Sequence, residues 1–432
     1  METSCLIQEP QKKQKLNEED EDIDGNSKCL SDLPEEILRH ILSFLPTKHA
    51  VRTSVLSKRW EYLWASIPNL DFKRSLPTYF NGPIEKYKSK RRLLMNFVER
   101  VLCLRDSYAI KRFTLPCDVL GDAARVNTWI SAVVRHNVQE LNIYLDKFKG
   151  EFSLPYCLFT YEYLTQHLFS GLPVLKKLSL TDCSWGGLKV VCISAPKLHS
   201  LSIWESERPD SSYGDGCEVL IFAVRLKEFE YSGELFINYC LNNSFSLEKA
   251  EITVFSNNTS AQVAHRMYKL LIGLSNVKLL QLSCAVVEVL IDAAEHLLHM
   301  PMFNNLTDLI LYDGYWSVAL DSVLLRILHK SPCLETLKFW KGIRLWENDD
   351  WILDPVPPCF LSHVKWIEVG DYDGDREEFS AVKILLKNAV VLNEIVIFCS
   401  VHLRGNLEKQ ENLYKQLIEI PKGSRNCKIV LK

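Results

Sequence analysis

The sequence predicts an α/β protein. A small all-α unit of three short helices comes first, followed by a solenoid with parallel strands inside and helices outside. Two observations carry this. Residues 29–75 hold three short helical patterns of apolar residues, and from residue 110 a unit of the form apolar-x-x-apolar-x-apolar recurs eleven times. Such recurrence marks stacked units, none of which can bury its apolar side alone.

The chain has 432 residues, with 51 Lys and Arg against 54 Asp and Glu, a formal charge of −3. Near-neutral charge leaves no electrostatic footprint for nucleic acid or an anionic membrane surface. Fourteen cysteines are too few for a disulfide scaffold. None falls at Cys-x-x-Cys spacing. The first twenty residues lack an apolar segment of signal-peptide length, and nowhere do about 18 apolar residues run together. These features predict a reducing intracellular compartment, cytoplasm or nucleus, and no membrane partner.

Residues 1–28 read as a solvated tail, with Lys12, Lys13 and Lys15 followed by acidic residues from Glu18 to Asp24. The basic cluster is also compatible with a nuclear import signal. In the next segment, Ser31 or Asp32 can cap a helix, with Glu35 placed to reach back and Pro34 in the first turn. The helix that follows carries two apolar stripes, 33/37/41/45 and 38/42/45, and stops at Pro46. A helix that serves only its own domain needs one stripe. The second stripe predicts a partner. Thr47 can cap a second helix. Ser57 can cap a third, where Trp60, Leu63, Trp64 and Ile67 recur at helical spacing until Pro68. Residues 76–109 read as a helical linker with a Lys/Arg-rich start.

The repeat units begin at Ile110, Val138, Leu175, Leu198, Leu226, Leu247, Val277, Leu306, Leu334, Val364 and Leu392. They span 282 residues in ten steps, an average of about 28, within the leucine-rich-repeat range of roughly 20–29. The last two apolar residues of each unit are two apart, so both point inward from one strand. The residue between them points out. The segments Val286 to Leu298 and Val318 to Leu328 read as helices on the outer side. Of the turn-bonding Asn or Cys usual in such repeats, only Cys183 is found.

Two segments carry a family resemblance. Leu33-Pro34-Glu35-Glu36-Ile37-Leu38, Ile41 to Pro46, Leu56 to Trp60 and Leu63-Trp64, within residues 30–72, resemble a plant-type F-box. His49 departs from the acidic residue usual there. Further on, Pro355 to Lys365, Ile367-Glu368-Val369, Leu385 to Ala389 and Ile395 resemble the FBD segment of plant F-box/leucine-rich-repeat proteins. Cys427 to Val430 resembles that family's last strand. Gly370-Asp371-Tyr372 departs from the usual Gly-Phe. The organisation expected is thus a tail (1–28), F-box (29–75), linker (76–109), leucine-rich repeats (110–350) and an FBD domain continuing the solenoid (351–432).

The resemblance implies a non-catalytic substrate-recognition subunit of an SCF-type ubiquitin ligase. Its F-box would dock on a Skp-type adaptor, and through it a cullin, while the repeat arc binds a protein substrate. Adaptor contact is expected from Leu33, Pro34, Ile37, Ile41, Leu45, Val51, Leu56 and Trp60. Substrate contact is expected on the outward residues Ser202, Glu230, Glu251, Gln281 and Lys338, with Trp204 and Trp340 just after their strands. The alternative is a repeat module for protein interaction outside any ligase. No catalytic constellation, cofactor or metal is expected. Asp371, Asp373 and Asp375 imitate a calcium loop, but Arg376 stands where Gly is needed and Val382 where the last ligand would be.

Overall fold

A computed structural model describes residues 30–73, 84–105, 109–115, 123–144, 159–162, 165–168, 172–182, 189–205, 217–255, 260–291, 299–312, 318–319, 322–345, 353 and 355–432. The tail 1–28, Cys183 and residues 292–298 of the predicted outer helix lie outside these residues.

The first helix, α1 (Glu35–Ser43), buries Leu38 and Leu42 of one predicted stripe, which therefore faces its own domain. Its N-terminus differs from expectation. Leu30–Asp32 forms a 3₁₀ turn, Pro34 precedes the first helical residue, and no side chain caps it. Glu35 instead pairs with Arg39 one turn on, at 2.6 Å. Thr47, expected as a cap, is the first residue of α2 (Thr47–Arg52) after Pro46. Its buried Oγ1 accepts from the Asp71 backbone N–H at 2.7 Å.

The predicted third helix is two 3₁₀ turns, Lys58–Trp60 and Leu63–Ser66. Side chains compete there for the carbonyls a longer helix would use. Trp64 Nε1 donates to the Glu61 carbonyl and Ser66 Oγ to that of Leu63, each at 3.1 Å. Trp60, Leu63, Trp64 and Ile67 still face inward.

The chain then enters a 13-stranded parallel sheet one unit earlier than the repeat count predicts. Strand β1 (Asn69–Asp71) lies inside the segment expected to be all-α and pairs with β2 (Arg112–Leu115). The linker helix α3 (Ile84–Cys103) covers this start with Leu94, Val98 and Val101. The strands continue as β3 (Glu140–Tyr144), β4 (Phe159–Glu162), β5 (Thr165–Leu168), β6 (Lys177–Thr181), β7 (Val190–Ser194), β8 (Ser200–Trp204), β9 (Glu218–Phe222) and β10 (Glu228–Gly233). Then come β11 (Asn238–Asn242), β12 (Lys249–Val254), β13 (Leu279–Ser283), β14 (Asp308–Tyr312) and β15 (Val318–Ala319). The last are β16 (Thr336–Phe339), β17 (Ile343–Arg344), β18 (Trp366–Tyr372), β19 (Glu394–Cys399) and β20 (Lys428–Leu431).

The main sheet runs β1-β2-β3-β6-β8-β10-β12-β13-β14-β16-β18-β19-β20. All eleven predicted units supply one strand each, in chain order, between β1 and β20. Their middle apolar residues, from Phe113 through Leu280 to Ile395, are register partners and at most 1% exposed. Burying a column of this kind at about 25 cal/mol per Å² is what stacking contributes.

The outer layer departs from the prediction of helices throughout. Helices return the chain early, with α4 (Ala123–Arg135), and late, with α5 (Ala261–Gly273), α6 (Cys284–Ile291), α7 (Ser322–His329) and α8 (Pro358–Ser362). The FBD region adds α9 (Arg376–Asn388), α10 (Val401–Arg404) and α11 (Leu407–Glu419). Between them lies a second sheet, β11-β9-β7-β5-β4. The returns there are period-two segments, with Val219 and Ile221, and Tyr239 and Leu241, facing inward. A strand advances about 3.3 Å per residue and a helix 1.5 Å, so five extended residues span what about eleven helical ones would. Steps of 23 and 21 residues, from Leu175 to Leu198 and from Leu226 to Leu247, fit the extended return. Val318–Ala319, expected in a helix, instead pairs with β17, and α7 starts at Ser322.

Candidate functional site

Two surfaces present groups that the fold does not use. The first is on the F-box. Opposite the buried Leu38 and Leu42, α1 exposes Ile37, Ile41 and Phe44, with Leu45, Val55 and Leu56 beside them. Phe44 is 74% exposed and Val55 87%. Of the eight residues expected at the adaptor, Pro34, Ile37, Ile41, Leu45 and Leu56 are exposed, while Leu33 and Val51 are half-buried against the core. Trp60 corrects the expectation. It is 3% exposed and packed within the F-box core, so it supports the surface from beneath. Phe44 and Val55 were not anticipated. Phe44 follows Ile37 at i+7 and Ile41 at i+3, a spacing that places it on the same face.

The second surface is the outward face of the main sheet, the side expected to be concave in a repeat arc. The outward residues form one unbroken ladder row, Ser202 beside Glu230, then Glu251, Gln281, Ile310, Lys338 and Glu368. Glu230 and Glu251 are direct register partners, a like-charge pairing that costs free energy unless relieved. Ser202 Oγ donates to Glu230 Oε2 at 2.9 Å, and Lys249 Nζ lies 3.6 Å from Glu251. Lys338 pairs with Glu368 at 3.1 Å. The Gln281 Oε1 is buried and accepts from no group among the described residues.

Trp204 and Trp340, 45% and 52% exposed, stand in the next row toward the strand ends. The sheet does not bring them together. Five strand steps separate β8 from β16, about 24 Å at the usual spacing. Trp340 instead meets Tyr312, ring centroids 6.0 Å apart and edge to face. The Tyr312 hydroxyl hydrogen-bonds Thr253 Oγ1 at 2.6 Å, and burial pushes its pKa up, which keeps it protonated. A cleft of about 580 Å³ opens beside them toward Phe398 and Arg404. Sequence reasoning missed Phe398. Its signal is alternation: it follows the inward Ile397 and so faces out.

A second cleft, about 500 Å³, lies between α5 and the edge of the second sheet. At its centre Glu218 Oε1 accepts from Asn238 Nδ2 at 2.9 Å and Lys269 Nζ at 3.3 Å. Cys217 and Cys240 flank it. Burial pushes their thiols up to about 12 and about 11, which keeps them protonated and poor nucleophiles near neutrality. Cys192, Cys284 and Cys399 are buried, as expected of small apolar residues. Asp371, Asp373 and Asp375 form no cation cage. Asp375 instead caps α9, accepting from the Glu378 N–H at 2.9 Å. Among the described residues no three His, Cys, Asp or Glu side chains gather as a metal site, and no helix is long and apolar enough to cross a membrane.

Comparison with known proteins accounts for both halves. Residues 30–72 match the F-box domain family and residues 354–397 the FBD family. An F-box/LRR-repeat protein of Arabidopsis thaliana is 30% identical, over 74% of this chain and 93% of its own length. Another is 29% identical over 93% and 87%. An F-box/FBD/LRR-repeat protein of the same plant is 26% identical over 93% and 96%. With a helical F-box welded to a parallel-strand solenoid that ends in an FBD segment, the chain belongs to the F-box/FBD/LRR-repeat family.

Proposed function

We propose that this protein is the substrate-recognition subunit of an SCF-type ubiquitin ligase, docking on a Skp-type adaptor through its F-box and binding a protein substrate on its concave face. The observation that carries this reading is the outward stripe of α1. Ile37 and Ile41 on α1, and Phe44 at its C-cap, lie exposed while the opposite side of the helix already fills its own core. Fully burying one such side chain contributes about 1.5–3 kcal/mol, so this face has a strong drive to be covered. The receptor performs no covalent chemistry. It raises the effective concentration of substrate beside the conjugating enzyme that a cullin brings to the adaptor.

Co-expression with a Skp-type adaptor followed by pull-down tests this. Wild type should co-purify with the adaptor. Leu33→Ala/Pro34→Ala and Ile37→Glu/Ile41→Glu should not, and the second pair should melt close to wild type because both side chains are exposed. Failure of the folded wild type to bind any adaptor would overturn the reading.

A further inference from the structure

The cleft at the C-terminal end of the concave face has a built interior. Trp340, after β16, forms one wall and Phe398, on β19, the other. Between them β18 presents Gly370. A Cβ at that position would lie 2.4 Å from the Trp340 carbonyl oxygen, so only glycine fits and the floor carries no side chain. The flanking strands are two spacings apart, about 9.5 Å, room for a side chain between the rings. The Trp340 wall is braced before any ligand arrives, since Tyr312 meets it edge to face and is itself held by Thr253. Such preorganisation lowers the ordering cost of binding.

The charges around this slot do not cancel. Glu368 is paired with Lys338, and Asp371 with Lys341 at 3.6 Å. Arg404 is left over. Its Nε donates to the Cys399 carbonyl at 2.8 Å, which fixes the guanidinium plane, and its terminal nitrogens donate to nothing among the described residues. Lys432 adds a second cation, its Nζ 5.5 Å from the Phe398 ring centroid. An aromatic slot with a free guanidinium fork suits a carboxylate next to a large apolar side chain.

We propose that this slot anchors an acidic segment of the partner protein. A large apolar or aromatic side chain enters between Trp340 and Phe398 over Gly370, and a flanking carboxylate takes the terminal N–H groups of Arg404. The proposal rests on the receptor reading above and names the class of segment received. A basic segment would meet Arg404 and Lys432 as like charges.

The test uses the full chain and three labelled, end-blocked tripeptides, Asp-Trp-Asp, Lys-Trp-Lys and Asp-Ala-Asp, titrated by fluorescence polarisation. Asp-Trp-Asp should bind at least about tenfold more tightly than either of the others, a difference of about 1.4 kcal/mol. Added salt should weaken it. Arg404→Gln and Phe398→Ala should each cost about tenfold or more while leaving the melting temperature and adaptor capture unchanged. Equal or tighter binding of Lys-Trp-Lys, no binding of Asp-Trp-Asp at about millimolar concentration, or full affinity in both variants would overturn the proposal. Selective peptide binding in a chain that captures no adaptor would instead uphold the slot and remove the ligase reading.

Discussion

Glu378 shows how one side chain organises the start of α9. Its carboxylate is 2% exposed, and its Oε2 accepts from the backbone N–H of Asp373 at 2.9 Å and of Gly374 at 2.8 Å. Gly374 has φ +72°, a conformation that favours glycine. Burial raises the Glu378 carboxyl above its usual 4.5, with Asp375 adding to the rise and the two N–H groups opposing it. A carboxyl with a raised folded value is one the fold prefers protonated. Its contribution is therefore fully present below 4.5 and is lost as pH rises through the raised value. Glu378→Gln keeps an acceptor for both N–H groups without a charge to bury. The variant should melt above wild type at about pH 7, with the gap closing toward about pH 4. Thermal unfolding at several pH values decides it; a pH-independent difference would show that burial of the charge is not the cause.

Helix α5 illustrates an element whose packing overrides its intrinsic preference. Gly273 ends it, and a Cβ there would lie 2.7 Å from the Leu241 Cβ of β11. Alanine is normally better than glycine in a helix by about 1 kcal/mol. Here Gly273→Ala should destabilise, by about 1–3 kcal/mol, because the close approach leaves no room. Chemical denaturation would show it as a lower midpoint, and a higher midpoint would refute the packing argument.

What could be read from the sequence follows the same logic of local against distant causes. The eleven inward strands were legible because a two-residue period and a near-constant repeat need only local information. The second sheet was not, since the returns Val190–Ser194 and Glu218–Phe222 are too short to separate strand from helix by period alone. The two 3₁₀ turns replaced a helix because side-chain bonds from Trp64 and Ser66 decide the matter after folding. The two stripes of α1 are legible, but which of them the domain buries is not, since both are apolar. Trp60 has the same apolar spacing whether it docks or packs inward, so its burial depends on how separate turns pack. The polar row from Ser202 to Glu368 was legible as a row, but the slot was not, because it needs Gly370 and Phe398 on neighbouring strands.

Across the whole molecule, one continuous buried cluster runs from Leu38 in the F-box to Ile429 in the last strand. The junction between the two ends of the chain's organisation is β1. Besides the ladder to β2, the Asn69 amide donates to the Ser43 carbonyl at 3.3 Å and the Arg105 guanidinium to the Ile67 carbonyl at 2.6 Å. Thr47→Val removes the acceptor of the Asp71 N–H and should cost about 1–3 kcal/mol. Hydrogen exchange should then speed selectively at 69–71. Exchange unchanged there would mean the Thr47 contact does not hold the junction.

That strand is both the tail of the F-box and the first rung of the sheet, so no swivel separates them. For a receptor this turns geometry into selection. Under the receptor proposal, a partner held on the concave face would be offered at one distance and one bearing from the adaptor. The lysines that meet the conjugating enzyme would then be set by a fixed ruler built into the backbone, and lengthening β1 to β2 by an inserted rung would move the mark.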